Sequence, residues 1–262
     1  MTEPLRITSR DNPWLVKLRK LAHDPGAYRK LALVWLEGEH LCAAAAAHGV
    51  QPLQAFVAES AWDDGAIRRL ASAASRVAVL PDALFNGLSA LGSPARVGFA
   101  LELPATAEPL PRVPTVVLDR IQDPGNVGSI LRSAAALGVA QVLALEGTAA
   151  LWAPKVVRAG MGCHFALRLV EGVTPQALDT LDLPLVATSS HAATTLREAD
   201  LPSPCAWVFG HDGQGVRPEL VARCRLTVRI PQPGGQESLN VAAAAAICLY
   251  ESSRFPLAQG MG

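Results

Sequence analysis

Apolar positions along the chain fall into two alternating patterns. Leu33–Leu36, Ala55–Val57, Val77–Leu80 and Val97–Ala100 are strand-length runs, as are Thr115–Leu118, Val142–Leu145, Leu185–Thr188 and Ala206–Phe209. Of these, Thr115–Leu118 and Ala206–Phe209 read as buried strands. Leu226, Val228 and Ile230 alternate with Thr227 and Arg229, a period of two that predicts one more strand. Helical patterns lie between these runs. Asp11-Asn12-Pro13 starts a helix with Leu15, Leu18 and Leu21 on one face, and Glu39–His48 is an Ala-rich helix closed by Gly49. Trp62–Ala74, Asp82–Leu88, Ser129–Leu137 (stopped by Gly138) and Val241–Tyr250 complete the set. Strands alternating with helices predict an α/β protein.

The alternation is interrupted at Leu103–Pro114, a Pro-rich stretch without regular pattern. It predicts a linker at 104–114 between a small α/β domain at 1–103 and a second α/β domain at 115–262. The chain has 262 residues, half of them hydrophobic, enough for two cores.

Charge adds one local feature. Twenty-three basic and 23 acidic side chains leave no net charge, so any site for a polyanion must be a patch. Residues 1–30 form one: Arg6, Arg10, Lys17, Arg19, Lys20, Arg29 and Lys30 against Glu3, Asp11 and Asp24 give +4. Such a patch suits phosphates, and a solvated helix face is the plainer reading. No apolar run reaches membrane-span length, and no signal peptide precedes the first helix. Five scattered cysteines without a C-x-x-C pair read as reduced thiols of a cytoplasmic protein, and the six histidines lack metal-ligand spacing.

The candidate chemistry lies in loops that follow strands. After Thr115–Leu118 comes Asp119-Arg120-Ile121-Gln122-Asp123-Pro124-Gly125-Asn126-Val127-Gly128, a Gly-bearing loop leading to a helix with Asn126 at its mouth. Arg132 follows on an otherwise apolar helix, where a structural ion pair is the plain expectation. After Ala206–Phe209 comes Gly210-His211-Asp212-Gly213-Gln214-Gly215. After the last strand, Pro231-Gln232-Pro233-Gly234-Gly235 forbids further strand and leads to Gln236-Glu237-Ser238-Leu239-Asn240, with Ser238 or Asn240 able to cap the final helix. Neither a dinucleotide-binding G-x-G-x-x-G nor a P-loop is present, which argues against a nucleotide-dependent oxidoreductase.

These three stretches, in this order, resemble the three signatures of the SpoU (TrmH-like) RNA 2′-O-ribose methyltransferases. The opening S-R-D-N-P…L-R-K-L…L-E-G more diffusely resembles the L30e-like substrate-binding domain of rRNA-directed members. The resemblance implies a SPOUT-type α/β fold with a trefoil knot around a mainly parallel sheet, S-adenosylmethionine as cofactor, a homodimer, and RNA, ribosomal before transfer, as substrate. It implies no metal. It assigns Asn126, Arg132, Ser238 and Asn240 to catalysis or substrate orientation, with Glu237 supporting the loop. Around the cofactor it places Gly210, Asp212, Gly215, Ile230 and Leu239, with Thr188 and Ser189 at the end of the preceding strand. One departure stands out: the second signature usually reads G-N-E or G-S-E, whereas here it is Gly210-His211-Asp212. A non-catalytic RNA-binding protein with the same fold is the alternative that this departure favours.

Overall fold

The computed structural model describes residues 3–89, 95–234 and 238–254. They form two compact units, one from Met1–Ala105 with Trp152–Phe165 and one from Thr106–Leu151 with Ala166–Gly262.

The first unit holds β1 (Leu5–Arg6), α1 (Pro13–His23), α2 (Ala27–Leu31), β2 (Leu33–Glu37), α3 (Glu39–Ala47), β3 (Gln54–Ala58), α4 (Gly65–Ala71), β4 (Val77–Leu80), α5 (Asp82–Asn86) and β5 (Val97–Glu102). Its sheet runs β1-β4-β3-β5-β2, with β5 antiparallel to both β3 and β2 and the other pairs parallel. The start of α1 is set by Asn12, whose side chain accepts from Trp14 N–H at 2.9 Å, and by Pro13 in the first turn. Leu15, Leu18 and Leu21 are buried as their spacing predicts. An aromatic cluster fills the core: Phe56 packs on Trp14 and Trp35 at 5.8 and 5.9 Å between ring centroids, and Trp35 on Phe85 at 6.5 Å. The cluster requires Gly98 in β5, where a Cβ would lie 2.1 Å from the Trp35 ring.

The second unit is built from β6 (Thr115–Leu118), α6 (Pro124–Ala136), β7 (Gln141–Leu145), β8 (Arg168–Val173), β9 (Leu185–Thr188), β10 (Thr194–Thr195), β11 (Ala206–Phe209), α8 (Pro218–Val221), β12 (Leu226–Arg229) and α9 (Val241–Ser253). Between β7 and β8 the chain contributes α7 (Pro154–Gly160) to the first unit. The seven-stranded sheet is parallel throughout, in the order β10-β12-β9-β11-β6-β7-β8. β6, β7, β9 and β11 are almost wholly buried, the result expected of a parallel sheet with both faces covered. β11 enters between β9 and β6, strands already laid down, and α9 returns to pack on α6.

Residues 106–114 carry no strand or helix and are fastened to the second unit. The Gln141 amide donates to Leu110 C=O at 2.8 Å and accepts from Leu110 N–H at 2.9 Å, and Arg112 pairs with Asp182 at 2.6 Å. The pattern missed β8 and the two-residue strands β1 and β10, whose sequences are short or mixed in polarity. It also placed the start of α6 too late. Asp123 accepts from Asn126 N–H at 2.7 Å and Pro124 occupies the first turn, so the supposed Gly-bearing loop is already helix.

Cys42, Cys205 and Cys248 are buried and the other two thiols half-buried, all of them free. Burial raises all the shifted thiols, Cys205 to about 12, Cys224 to about 11, and Cys42 and Cys248 further still. Because the folded values lie above the unfolded one, the unfolded chain binds fewer protons above about pH 9. Urea denaturation at pH 7.5 and pH 10 should therefore show stability falling on the alkaline side, by up to about 1.4 kcal/mol per pH unit for each thiol still protonated in the fold.

Candidate active site

All strands of the large sheet point the same way, so the loops after β12, β9, β11 and β6 emerge along one edge. That is the carboxyl edge, where open α/β sheets bind ligands at the point of strand-order reversal. Here β7 and β8 run outward from β6 on one side, and β11, β9 and β12 lie on the other. Thr188 ends β9, Gly210 follows β11, and Ile230 follows β12.

The loop after β11 is held at its base by a buried carboxylate. Asp119, immediately after β6, has no solvent exposure. It accepts from Arg217 N–H at 2.9 Å and from the Arg217 guanidinium through Nε at 2.7 Å and Nη2 at 2.5 Å. Arg120 Nε lies 3.3 Å from the same carboxylate, and Arg120 Nη1 reaches Gln214 at 3.3 Å. Asp119 N–H in turn donates to Phe209 C=O at 2.8 Å. Fork-shaped pairing of this kind fixes position as well as charge. Gly210 is obligatory on steric grounds, because a Cβ there would sit 2.1 Å from the Gly215 and Val216 backbone. His211 and Gly215 then exchange two backbone hydrogen bonds, at 3.1 and 2.8 Å, closing the loop on itself.

Asp212 projects from this closed loop. Both of its oxygens accept from Asn126 Nδ2 at 3.0 Å. Asn126 Oδ1 accepts from Asn240 Nδ2 at 2.9 Å. Asn240 Oδ1 accepts from Ala242 and Ala243 N–H at 2.9 and 3.3 Å, and so caps α9. Each amide therefore fixes the orientation of the next, since the cap requires oxygen toward the helix. The first turn of α6, which follows β6, and the loops after β11 and β12 meet in this one chain of hydrogen bonds. Of the two sequence candidates for the cap, Asn240 takes the role, and Ser238 lies exposed two residues before it.

Arg132 is exposed, and among the described residues it makes no ion pair or hydrogen bond, so the expected structural ion pair is not found among them. The reason is helical geometry: Ile130, Leu131 and Ala134 face inward, while Ser129, Arg132 and Ala136 line the outer face. Ser189 donates its backbone N–H to Val228 C=O at 3.0 Å, and Leu239 is 38% exposed beside Asn240. Glu237 lies outside the described residues. Asp119 and Arg217 were not singled out from the sequence. An aspartate directly after a fully apolar strand is the one local signal, and its partner lies about a hundred residues on. Gln232 is a further omission: its Oε1 is buried without a partner, two residues beyond Ile230. Among the described residues no group of His, Cys, Asp and Glu could hold a metal ion, and no helix is long and apolar enough to cross a membrane.

Residues 114–250 match the model of the SpoU rRNA Methylase family. An uncharacterised tRNA/rRNA methyltransferase of Synechocystis is 32% identical over 95% of this chain and 93% of its own. A 23S rRNA (uridine(2479)-2′-O)-methyltransferase of Streptomyces viridochromogenes is 32% identical over 68% of this chain and 67% of its own. Among solved structures, an RNA 2′-O ribose methyltransferase superposes with a TM-score of 0.80 at 30% identity, covering 95% of this chain and 98% of its own. The AviRb methyltransferase of Streptomyces viridochromogenes in complex with AdoMet gives 0.82 at 25% identity, covering 93% and 98%. On these matches, over more than half of its length, the chain belongs to the SpoU rRNA methylase family.

Proposed function

We propose that this protein transfers a methyl group from S-adenosylmethionine to a ribose 2′-hydroxyl of ribosomal RNA. The observation that carries the reading is the Asp212–Asn126–Asn240 chain, which joins the three signature loops at one point. The named relatives support the substrate: a Streptomyces enzyme is a 23S rRNA 2′-O-methyltransferase, and the AviRb structure contains the cofactor. We propose a cytoplasmic location on the same grounds.

The residues at the sheet edge suit the cofactor. Thr188, Ser189, Gly210, Asp212, Gly215, Ile230 and Leu239 would surround it, and the orphaned Gln232 Oε1 offers an acceptor to an amino or hydroxyl group. When bound, the cofactor supplies a methyl group on a positively charged sulfur. The protein must orient a weak hydroxyl nucleophile and stabilise it as its proton leaves. Asn240 Nδ2 spends one hydrogen on Asn126 and has a second to offer a ribose oxygen. Ser238, exposed beside it, can accept or donate at the same oxygen. A guanidinium is a poor general base. The Arg132 fork, unpaired among the described residues, suits a phosphate or the developing alkoxide.

We extend the proposal to a homodimer and a trefoil knot. α9 is apolar around its circumference yet leaves Ile247 and Tyr250 41% and 64% exposed, a face that a second copy would cover. The knot is proposed from the resemblance of the three signature stretches to the SpoU family alone. The first unit, with Lys17 and Lys20 exposed on α1, is proposed as an L30e-like RNA-binding domain. Glu237 is proposed as support for the loop before α9.

The direct test is transfer of tritiated methyl to purified rRNA, with tRNA and 2′-deoxy substrate as controls. Label in rRNA that protects one phosphodiester from alkaline cleavage is expected. Cofactor binding without transfer to any RNA would favour a binding protein instead. Asn240→Asp keeps the helix-cap acceptor and loses the donor to Asn126. It should leave Tm within a few degrees of the parent and lower kcat by about 10²-fold. Arg132→Lys retains charge without the fork, and kcat/KM should drop by roughly tenfold or more; near-full turnover would show that a two-pronged grip is not used.

A further inference from the structure

The loop between β11 and α8 contains an imidazole in an unusual place. His211 Nδ1 accepts the backbone N–H of Gly213 at 3.0 Å, a contact from residue i to residue i+2. Turns of this kind ordinarily use the oxygen of Asn, Asp, Ser or Thr. Those acceptors keep their lone pairs at any pH near neutrality. An imidazole nitrogen does not, because protonation turns Nδ1 into a donor, and histidine is the side chain that changes charge around physiological pH.

We propose that His211 is a positioning residue whose neutral ring, with its proton on Nε2, holds the loop that aims Asp212 at Asn126. The turn bond lies inside the ring of backbone contacts between His211 and Gly215, and Asp212 is the residue it spans. With Nδ1 protonated, two donors face each other across the turn, and Asp212 loses the geometry in which both its oxygens meet Asn126 Nδ2. The charged groups on the elements around the loop are Asp212 itself, Arg120 after β6, Asp123 at the head of α6, and the Asp119–Arg217 pair at the base, with Glu219 4.0 Å from Arg217. The base of the loop, anchored by Asp119, does not depend on His211, so protonation loosens the tip without unfolding the unit. The shorter Asp212 makes this matter: with one methylene fewer than glutamate, it has less reach to compensate for a displaced turn.

The consequence for turnover rests on the methyltransferase reading; the turn itself does not. The test compares the wild-type protein with His211→Asn, which keeps a non-titrating acceptor, and His211→Phe, which keeps bulk and loses the acceptor. Nitrogen-15 NMR of the wild type should show His211 protonated on Nε2 at alkaline pH. Exchange of the Gly213 amide should be slowed at that pH and quicken once the ring titrates; in H211N it should stay slow throughout. Methyl transfer by the wild type should fall on the acid side by roughly three- to tenfold relative to H211N, the size of one turn hydrogen bond. H211F should be lowered by a similar factor at every pH. A proton on Nδ1, an acid limb unchanged in H211N, or wild-type Gly213 protection in H211F would each overturn the proposal. If no protein transfers methyl to any RNA, the NMR result still decides the turn, and the failure belongs to the proposed reaction.

Discussion

The candidate site depends on one buried carboxylate. Asp119 immediately follows β6, with no exposure to solvent and with Arg217 wrapped around it. A carboxylate in that position is tolerable only with charge-assisted partners, and removing either partner costs about 3–5 kcal/mol. The pair binds the chain leaving β6 to the chain leaving the loop after β11. Without that tie, the loop carrying Asp212 and the first turn of α6 carrying Asn126 would be positioned independently, and nothing would hold their 3.0 Å contacts.

Asn240 links stability to chemistry in the same economical way. Its oxygen satisfies the first free N–H groups of α9, a local requirement of any helix start. Its nitrogen then has one direction left, toward Asn126. The functional orientation of the amide is thereby a by-product of capping, maintained for as long as the helix is folded. The parallel sheet supplies the remaining condition. With every strand running the same way, the loops that carry the three signatures must emerge on one side.

Several features needed tertiary information. Arg132 has an apolar neighbourhood in the sequence but an exposed place in the fold, because linear neighbours on a helix point in different directions. The start of α6 was obscured by Gly125 and Gly128, residues that favour loops in isolation; Asp123 and Pro124 override them. His211 and Asp212 looked like a departure that weakens the site. In the fold the aspartate reaches Asn126 with both oxygens, and the histidine nitrogen supplies a turn acceptor.

The sequence by itself determined the α/β class, the strands β6, β7, β9 and β11, the start of α1 and the three signature stretches. These are properties of local pattern: continuous apolar runs, turn residues and capping side chains act over a few residues and leave a mark there. Only the tertiary structure decided the strand order, the contribution of Trp152–Phe165 to the first unit, the Asp119–Arg217 tie and the exposure of Arg132. Those depend on which side chains meet across scores of residues. A buried aspartate and its arginine look like any other charged residues until the fold removes the water between them.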